Sequence, residues 1–356
     1  MGFPTRPSEL TPAWLSEVLS ADVADFRVEP IGVGSGFAGS IYRVHLNPHA
    51  STEASVLPET LIWKTVSTHP STHELLTQLG IYQSEADFYA RLAGHARVAP
   101  RAHYYDYDDD SGSVCLLLED LTGMEAGDQI EGCTPKQARM IVSALAGLHA
   151  KFWEGGRDDS PLGVRKFDYE ASISRRMHSA SWGRVRESAL TVPQGLLDTA
   201  EFIQPFIGTI RNRLGASPTT LLHGDVRADN AFFDADTVKL IDWQAVREGR
   251  AAYDLAYFIS TSLDEETGRQ HQNELLDLYV ETLASQGVKG YGMSECLEDF
   301  RWALLDVVSF VGIIGAALDF SEGRGLQLAN LVMSRLWSSL EENRAIDLLD
   351  RVSPNS

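Results

Sequence analysis

The sequence predicts an α+β chain folded as two lobes, a small strand-rich lobe over residues 1–120 and a larger, mainly helical lobe over residues 121–356. Three observations carry this. At 356 residues the chain exceeds the size at which one hydrophobic core usually keeps growing. Between Phe26 and Leu118 apolar residues fall into five short strand-like segments and one helical one. After Leu121 the apolar spacing becomes helical, interrupted by two short strand-like segments, near 221–230 and 238–243. A crevice between two lobes is where a ligand is expected.

Thr11-Pro12 reads as an N-cap followed by proline at the first helical position, opening a short helix through Trp14, Leu15, Val18 and Leu19. From Phe26 the pattern alternates, with strands on either side of a glycine-rich turn and Ile41, Val44 and Leu46 in the second of them. Residues 47–59 are polar with Pro48 and Pro58, a loop, and 61–66 read as the next strand. Glu74 to Leu92 carries Leu75, Leu79, Tyr82, Ala86 and Tyr89 at helical spacing and stops at Gly94. Two strands follow, 102–107 and 114–118, joined by an acidic turn. In the second lobe Thr134-Pro135 caps a helix running to Phe152, and further helices are predicted over 193–214, 251–263, 274–283, 294–318 and 325–340. Residues 353–356 read as a loose tail.

Composition removes several classes. Hydrophobic residues make up 44% and charged residues 22%, so the chain is an ordinary globular one. A formal charge of −20 repels nucleic acid and anionic membranes overall; it suits a cationic substrate, and plain solubility equally well. Cys115, Cys133 and Cys296 are few, distant and without metal-ligand spacing, so neither a disulfide framework nor a zinc site is expected and a reducing cytoplasm fits. No leader is expected at the N-terminus, and the longest apolar run, 307–318, is too short to span a bilayer.

The chemistry is concentrated in His223-Gly224-Asp225-Val226-Arg227-Ala228-Asp229-Asn230 and in Ile241-Asp242-Trp243. A carboxylate in the first segment can receive the proton of an attacking hydroxyl, while an amide oxygen and a second carboxylate suit a divalent cation on phosphates. Asp225 is the candidate base, and Asn230 and Asp242 are the candidate metal ligands. Taken singly, Asp225 and Asn230 are also ordinary turn residues. Asp242 ends an apolar strand, where a carboxylate is costly to bury without a cation or hydrogen bonds. His223 buttresses the loop in this reading.

Gly34-Ser35-Gly36-Phe37-Ala38-Gly39 matches GxGxxG, a spacing shared with dinucleotide-binding folds. Those folds need a helix next, whereas the segment from Ser40 to Leu46 reads as a strand, so Gly34, Gly36, Gly39 and Ser40 are candidates for a phosphate-covering hairpin. Lys64 sits in an apolar strand and needs a partner, with Glu85 first and Glu74 second. Leu116-Leu117-Leu118-Glu119-Asp120-Leu121 is the hinge between lobes, where backbone near Glu119 and Leu121 is placed to pair with adenine. Asp254 braces the loop of Asp225, while His149, Trp153, Trp302, Phe310 and Trp337 are packing or cleft-wall residues.

With these residues the chain resembles the aminoglycoside phosphotransferase superfamily, and within it the ecdysteroid kinase-like branch as found in bacteria. The similar segments include AGSIYRV, SEADFY, LLLEDL, GDQIEGCTPKQA, LAGLHAKFW, HGDVRADN and DWQAVREGRAAYDLAYFISTSL, in order from about Phe26 to beyond Leu340. The resemblance implies a protein-kinase-like fold with a five-stranded antiparallel sheet and one helix in the small lobe. It implies ATP with Mg²⁺ and transfer of the γ-phosphate to a hydroxyl of a small molecule, with Asp225 as base, Asn230 and Asp242 on the metal, and Lys64 with Glu85 positioning phosphates. Gly36-Phe37-Ala38 departs from the serine-rich loop of some relatives. An amino-sugar kinase rather than a lipophilic-alcohol kinase, and a nucleotide-binding pseudokinase without turnover, are the alternatives. A protein kinase fits less well, because no DFG and APE pair brackets an activation loop after Asp242.

Overall fold

The computed structural model describes residues 2–31, 39–49, 57–155, 162–167, 171–317 and 323–352. Contacts divide the chain into two compact units, Met1–Met124 with Lys239–Ala245, and Glu125–Val238 with Val246–Ser356.

In the first unit, helix α1 (Pro12–Leu19) starts where Thr11 Oγ1 accepts from Trp14 N at 3.2 Å. Five strands follow, β1 (Val23–Ile31), β2 (Ser40–Pro48), β3 (Thr60–Thr65), β4 (Ala102–Asp108) and β5 (Ser113–Glu119), paired antiparallel in the order β1-β2-β3-β5-β4. β1 pairs directly with β2, up to Ile31 opposite Ile41, so a strand and not a dinucleotide-type helix follows Gly39. Leu61 and Trp63 of β3 point to one face, where they are buried with Leu15, Val44, Leu46, Cys115 and Leu117. The alternation then puts Ile62 and Lys64 on the other face.

The helix expected over 74–92 is two helices, α2 (Pro70–Gln78) and α3 (Ile81–Arg91). Gly80 breaks them apart with φ +64°, and Leu75 and Leu79, which carry the expected helical spacing, are exposed. The apolar stripe therefore belongs to α3 alone, which buries Tyr82, Glu85, Ala86, Phe88 and Tyr89. Residues 239–245 are pinned to this unit from far along the sequence. Leu240 N donates to Val98 O at 2.8 Å, and the Trp243 ring stacks on Phe88 at 4.0 Å.

The second unit is mostly helix, with short strands. Its elements are β6 (Glu125–Ala126), α4 (Pro135–Lys151), β7 (Arg165–Lys166), α5 (Ala171–Glu187), α6 (Gln194–Ile203), α7 (Ile207–Gly215), β8 (Thr220–Leu222), β9 (Ala231–Phe233), β10 (Val238–Leu240, which runs on into the first unit), β11 (Arg247–Gly249), α8 (Ala252–Ser262), α9 (Glu265–Ser285), α10 (Met293–Ala317) and α11 (Gly323–Glu342). β6 pairs with β9, and β11 pairs antiparallel with β8 and parallel with β7. Thr134 and Gln137 form the capping box that starts α4. Every residue of α8 is buried, because α10 and α11 pack on it.

Gly34 and Gly36 lie outside the described residues, as do most of the 47–59 loop and the 353–356 tail. All three cysteines are free and buried, and burial pushes each thiol up to about 12. No helix among the described residues is long and apolar enough to cross a membrane.

Candidate active site

In the first unit the central strand β3 carries Lys64 opposite Ile41 of β2 and Leu116 of β5, so its stem is flanked by apolar chains. Its ammonium donates to Glu85 Oε1 at 2.7 Å and to Asp242 Oδ1 at 2.9 Å. Glu74, the second-choice partner, instead accepts from Gln78 within α2. Burial disfavours the Lys64 charge, but the carboxylates of Asp242 and Glu85 outweigh it and hold the ammonium above its ordinary range. Burial, with the charge of Asp242, pushes Glu85 up against the pull of Lys64. Two carboxylates thus share one ammonium, a surplus of negative charge that a cation would relieve.

Asp242 reaches this position on a left-handed backbone, φ +70°, unusual outside glycine. Its Oδ2 accepts from Gln244 Nε2 at 3.1 Å. Gly39, just before β2, lies so close to β3 that a Cβ there would stand 2.3 Å from Thr65 O, so no larger residue fits without moving backbone. Ser40 opens β2 opposite Thr65.

At the end of β5, Glu119 N donates to Arg101 O at 2.8 Å while its side chain accepts from Arg101 N at 3.0 Å. The buried Leu121 follows, its carbonyl accepting from Met124 N at 2.8 Å and its own N–H donating to no described group. Between them Asp120 accepts from Arg43 Nε at 2.7 Å and from Thr122 Oγ1 at 2.5 Å. Burial opposes its charge, and these bonds hold its carboxyl below the usual range. Sequence reasoning passed over Asp120, although a carboxylate ending the apolar run of β5 carried the same signal as Asp242.

In the second unit the loop after β8 carries Asp225 and Asn230, both buried. Asn230 Nδ2 donates to Asp225 O at 3.0 Å and Oδ2 at 3.2 Å, which leaves Asn230 Oδ1 accepting from no described group. Arg227 Nε stands 3.4 Å from Asp225 Oδ2. The loop is tied down by one face of α8. Asp254, fully buried, accepts from His223 N at 2.8 Å, Gly224 N at 2.9 Å and His149 Nε2 at 3.2 Å, and His149 Nδ1 is 2.7 Å from the Tyr279 hydroxyl. Burial works against the Asp254 charge, yet these partners hold it below the usual carboxylate range. One turn on, the Tyr257 hydroxyl hydrogen-bonds Asp225, and burial followed by that carboxylate's charge pushes the phenol well up.

Two turns on, Ser262 Oγ accepts from Ala228 N at 3.0 Å and Thr261 O accepts from Gln129 Nε2 at 3.2 Å. Gln129 N in turn donates to Asp229 Oδ1 at 2.7 Å. Gly127 lets this segment approach, since a Cβ there would stand 2.3 Å from Ala228 O. Tyr257 and Ser262 were missed in the sequence; the available signal was polar groups at helical spacing in an otherwise apolar helix.

The structure therefore brings Lys64, Glu85 and Asp242 together in one unit and Asp225 with Asn230 in the other. A family described as phosphotransferase enzymes matches the chain over residues 69–291, more than half its length. A kinase-like protein of Caenorhabditis elegans, itself uncharacterized, is 20% identical over 327 residues, 83% of this chain and 85% of that protein. Among solved structures, choline kinase from Cryptosporidium parvum Iowa II aligns over 97% of this chain and 96% of its own, at 13% identity and a TM-score of 0.57. An amicoumacin kinase in complex with AMP-PNP, Ca²⁺ and its antibiotic aligns over 93% and 92%, at 12% identity and a TM-score of 0.54. The fold is kinase-like, a five-stranded antiparallel sheet in the N-terminal unit and a mainly helical remainder.

Proposed function

The chain belongs to the phosphotransferase enzyme family, and from that premise we propose that it is an ATP-dependent kinase of a small hydroxylated molecule, of the ecdysteroid kinase-like branch. One observation carries the reading: a buried ammonium held by Glu85 and Asp242 on a central strand, the arrangement that positions nucleotide phosphates in kinase sites.

The residues fit the groups such a reaction needs. A hard divalent cation takes oxygen ligands, and Asp242 in its surplus of negative charge and Asn230 with its open Oδ1 supply them. When bound, Mg²⁺ would neutralise charge on the phosphates of ATP. Lys64, fixed by Glu85, holds the phosphates, and Gly39 and Ser40 stand where the phosphate-covering segment enters β2; Gly34 and Gly36 remain the sequence's further candidates for phosphate contact. The Leu121 N–H and the backbone of Glu119 receive adenine. Asp225 orients the acceptor hydroxyl and takes its proton as the bond to phosphorus forms, its carboxylate steadied by Asn230 and Tyr257. The solved amicoumacin kinase holds an ATP analogue with a divalent cation, which supports the cofactor assignment.

Screening hydroxylated metabolites for ATP-dependent gain of phosphate by mass spectrometry tests this. An acceptor phosphorylated by the wild type and not by Asp225→Asn is the expected result. No acceptor and no rise in melting temperature with ATP and Mg²⁺ would overturn it.

A further inference from the structure

An open pocket of about 470 Å³ lies in the second unit where α9, α10 and the end of α11 meet the terminal 3₁₀ turn Ala345–Arg351. It shares no residue with the groups assigned above. Its lining is basic in a chain of formal charge −20, with Arg269, Arg301, Arg344 and Arg351 set against only Glu342 and Asp347. The two carboxylates are already engaged, Glu342 with Arg269 at 3.5 Å and Asp347 with Arg344 at 2.6 Å. Arg301 and Arg351 have no carboxylate partner among the described residues.

Arg301 is the telling side chain. Its Nη2 donates to Arg344 O at 2.6 Å, while its Nε is buried and hydrogen-bonds nothing among the described residues. Desolvation lowers its hold on the proton, and the like charges of Arg351 and Arg344 add to that against Asp347 and Glu298. A half-buried guanidinium beside two further arginines carries a repulsive cost that an anion in the pocket, meeting its remaining Nη hydrogens, would offset. The remaining polar wall, Gln272, Asn273 and Asn343, is neutral, so it does not repel an anion, and Gln272 and Asn343 exchange amide bonds at 2.8 and 2.9 Å.

We infer that this pocket is a second, non-catalytic binding site for a small oxyanion carrying at least two negative charges, a phosphate ester or a polycarboxylate, with Arg301 and Arg351 as its principal donors. The planar guanidinium fork suits either group. The site stands independently of the kinase reading.

Calorimetric titration with inorganic phosphate and, separately, with citrate, at ionic strength matched with NaCl, tests it on wild type, Arg301→Gln, Arg351→Gln and Lys64→Met. The expected result is saturable binding of at least one probe by the wild type and by Lys64→Met, weakened tenfold or more in both arginine variants. The probe preferred tells phosphate ester from polycarboxylate. Binding absent from the wild type, or lost in Lys64→Met and kept in the arginine variants, overturns the inference, because the anion would then sit at the nucleotide phosphates' own place. If Arg301→Gln fails to fold, the exposed Arg351→Gln decides.

Discussion

The two halves of the candidate machinery are held in place by opposite means. Around Lys64 the fixing is ionic: three charged side chains, from a strand, a helix and a distant turn, lock one another inside the first unit. Around Asp225 it is mostly hydrogen bonding to backbone: Asp254 holds two successive N–H groups, Ser262 holds a third, and Asn230 grips the loop from within. The first arrangement sets charge against charge, and the second holds a loop by its backbone. On the kinase reading, the side chain proposed to meet charged phosphates is balanced by charge, and the one proposed to meet a neutral hydroxyl is placed by geometry.

This contrast can be broken by substitution. Asp225→Asn should show the largest effect, a fall in turnover of about 10²–10⁴-fold with little change in melting temperature. A large loss of stability instead would mean that Asp225 props the loop. Asp254→Ala should cost about 3–5 kcal/mol in urea unfolding, because His149 and two buried N–H groups lose their acceptor. A cost under about 1 kcal/mol would remove Asp254 as the hub.

The same carboxyl sets a pH signature. Its folded pKa is lowered, so its contribution is present above the unfolded value near 4 and is lost as pH falls through the folded value. Asp254→Asn should flatten that acid limb.

Lys64→Met should cost about 2–3 kcal/mol at neutral pH, less than a fully desolvated charge, because Glu85 is already pushed toward its neutral form. The cost should shrink as pH is lowered and Glu85, whose carboxyl burial already pushes up, takes up a proton. A pH-independent cost would argue for packing alone. Ser262→Ala is the mildest case, about 1 kcal/mol by chemical denaturation with turnover reduced severalfold at most.

Much of this was legible in the sequence, for local reasons. The strand after Gly39 shows in its own pattern of residues, and the cation in β3 and the carboxylate ending a strand each violate a burial rule unless a partner exists, which shows without coordinates. The division between α2 and α3 was hidden because Leu75 and Leu79 continue the apolar spacing past a glycine, and only exposure tells which stripe is buried. Helix α5 was missed because its arginines, serines and glycine give little apolar period, and strands of two or three residues are too short to alternate. The anchors on α8 are tertiary facts, since nothing within that helix says that its polar groups face the loop of Asp225.

Asp242 adds a consequence on a longer timescale. Held at φ +70°, it occupies a backbone region where glycine would relax by about 1 kcal/mol. On the proposed kinase reading, an acid is kept there for its chemistry. In a duplicated gene freed from that demand, Asp242→Gly relaxes the backbone but gives up the ion pair with Lys64, so glycine should appear there together with a change at Lys64.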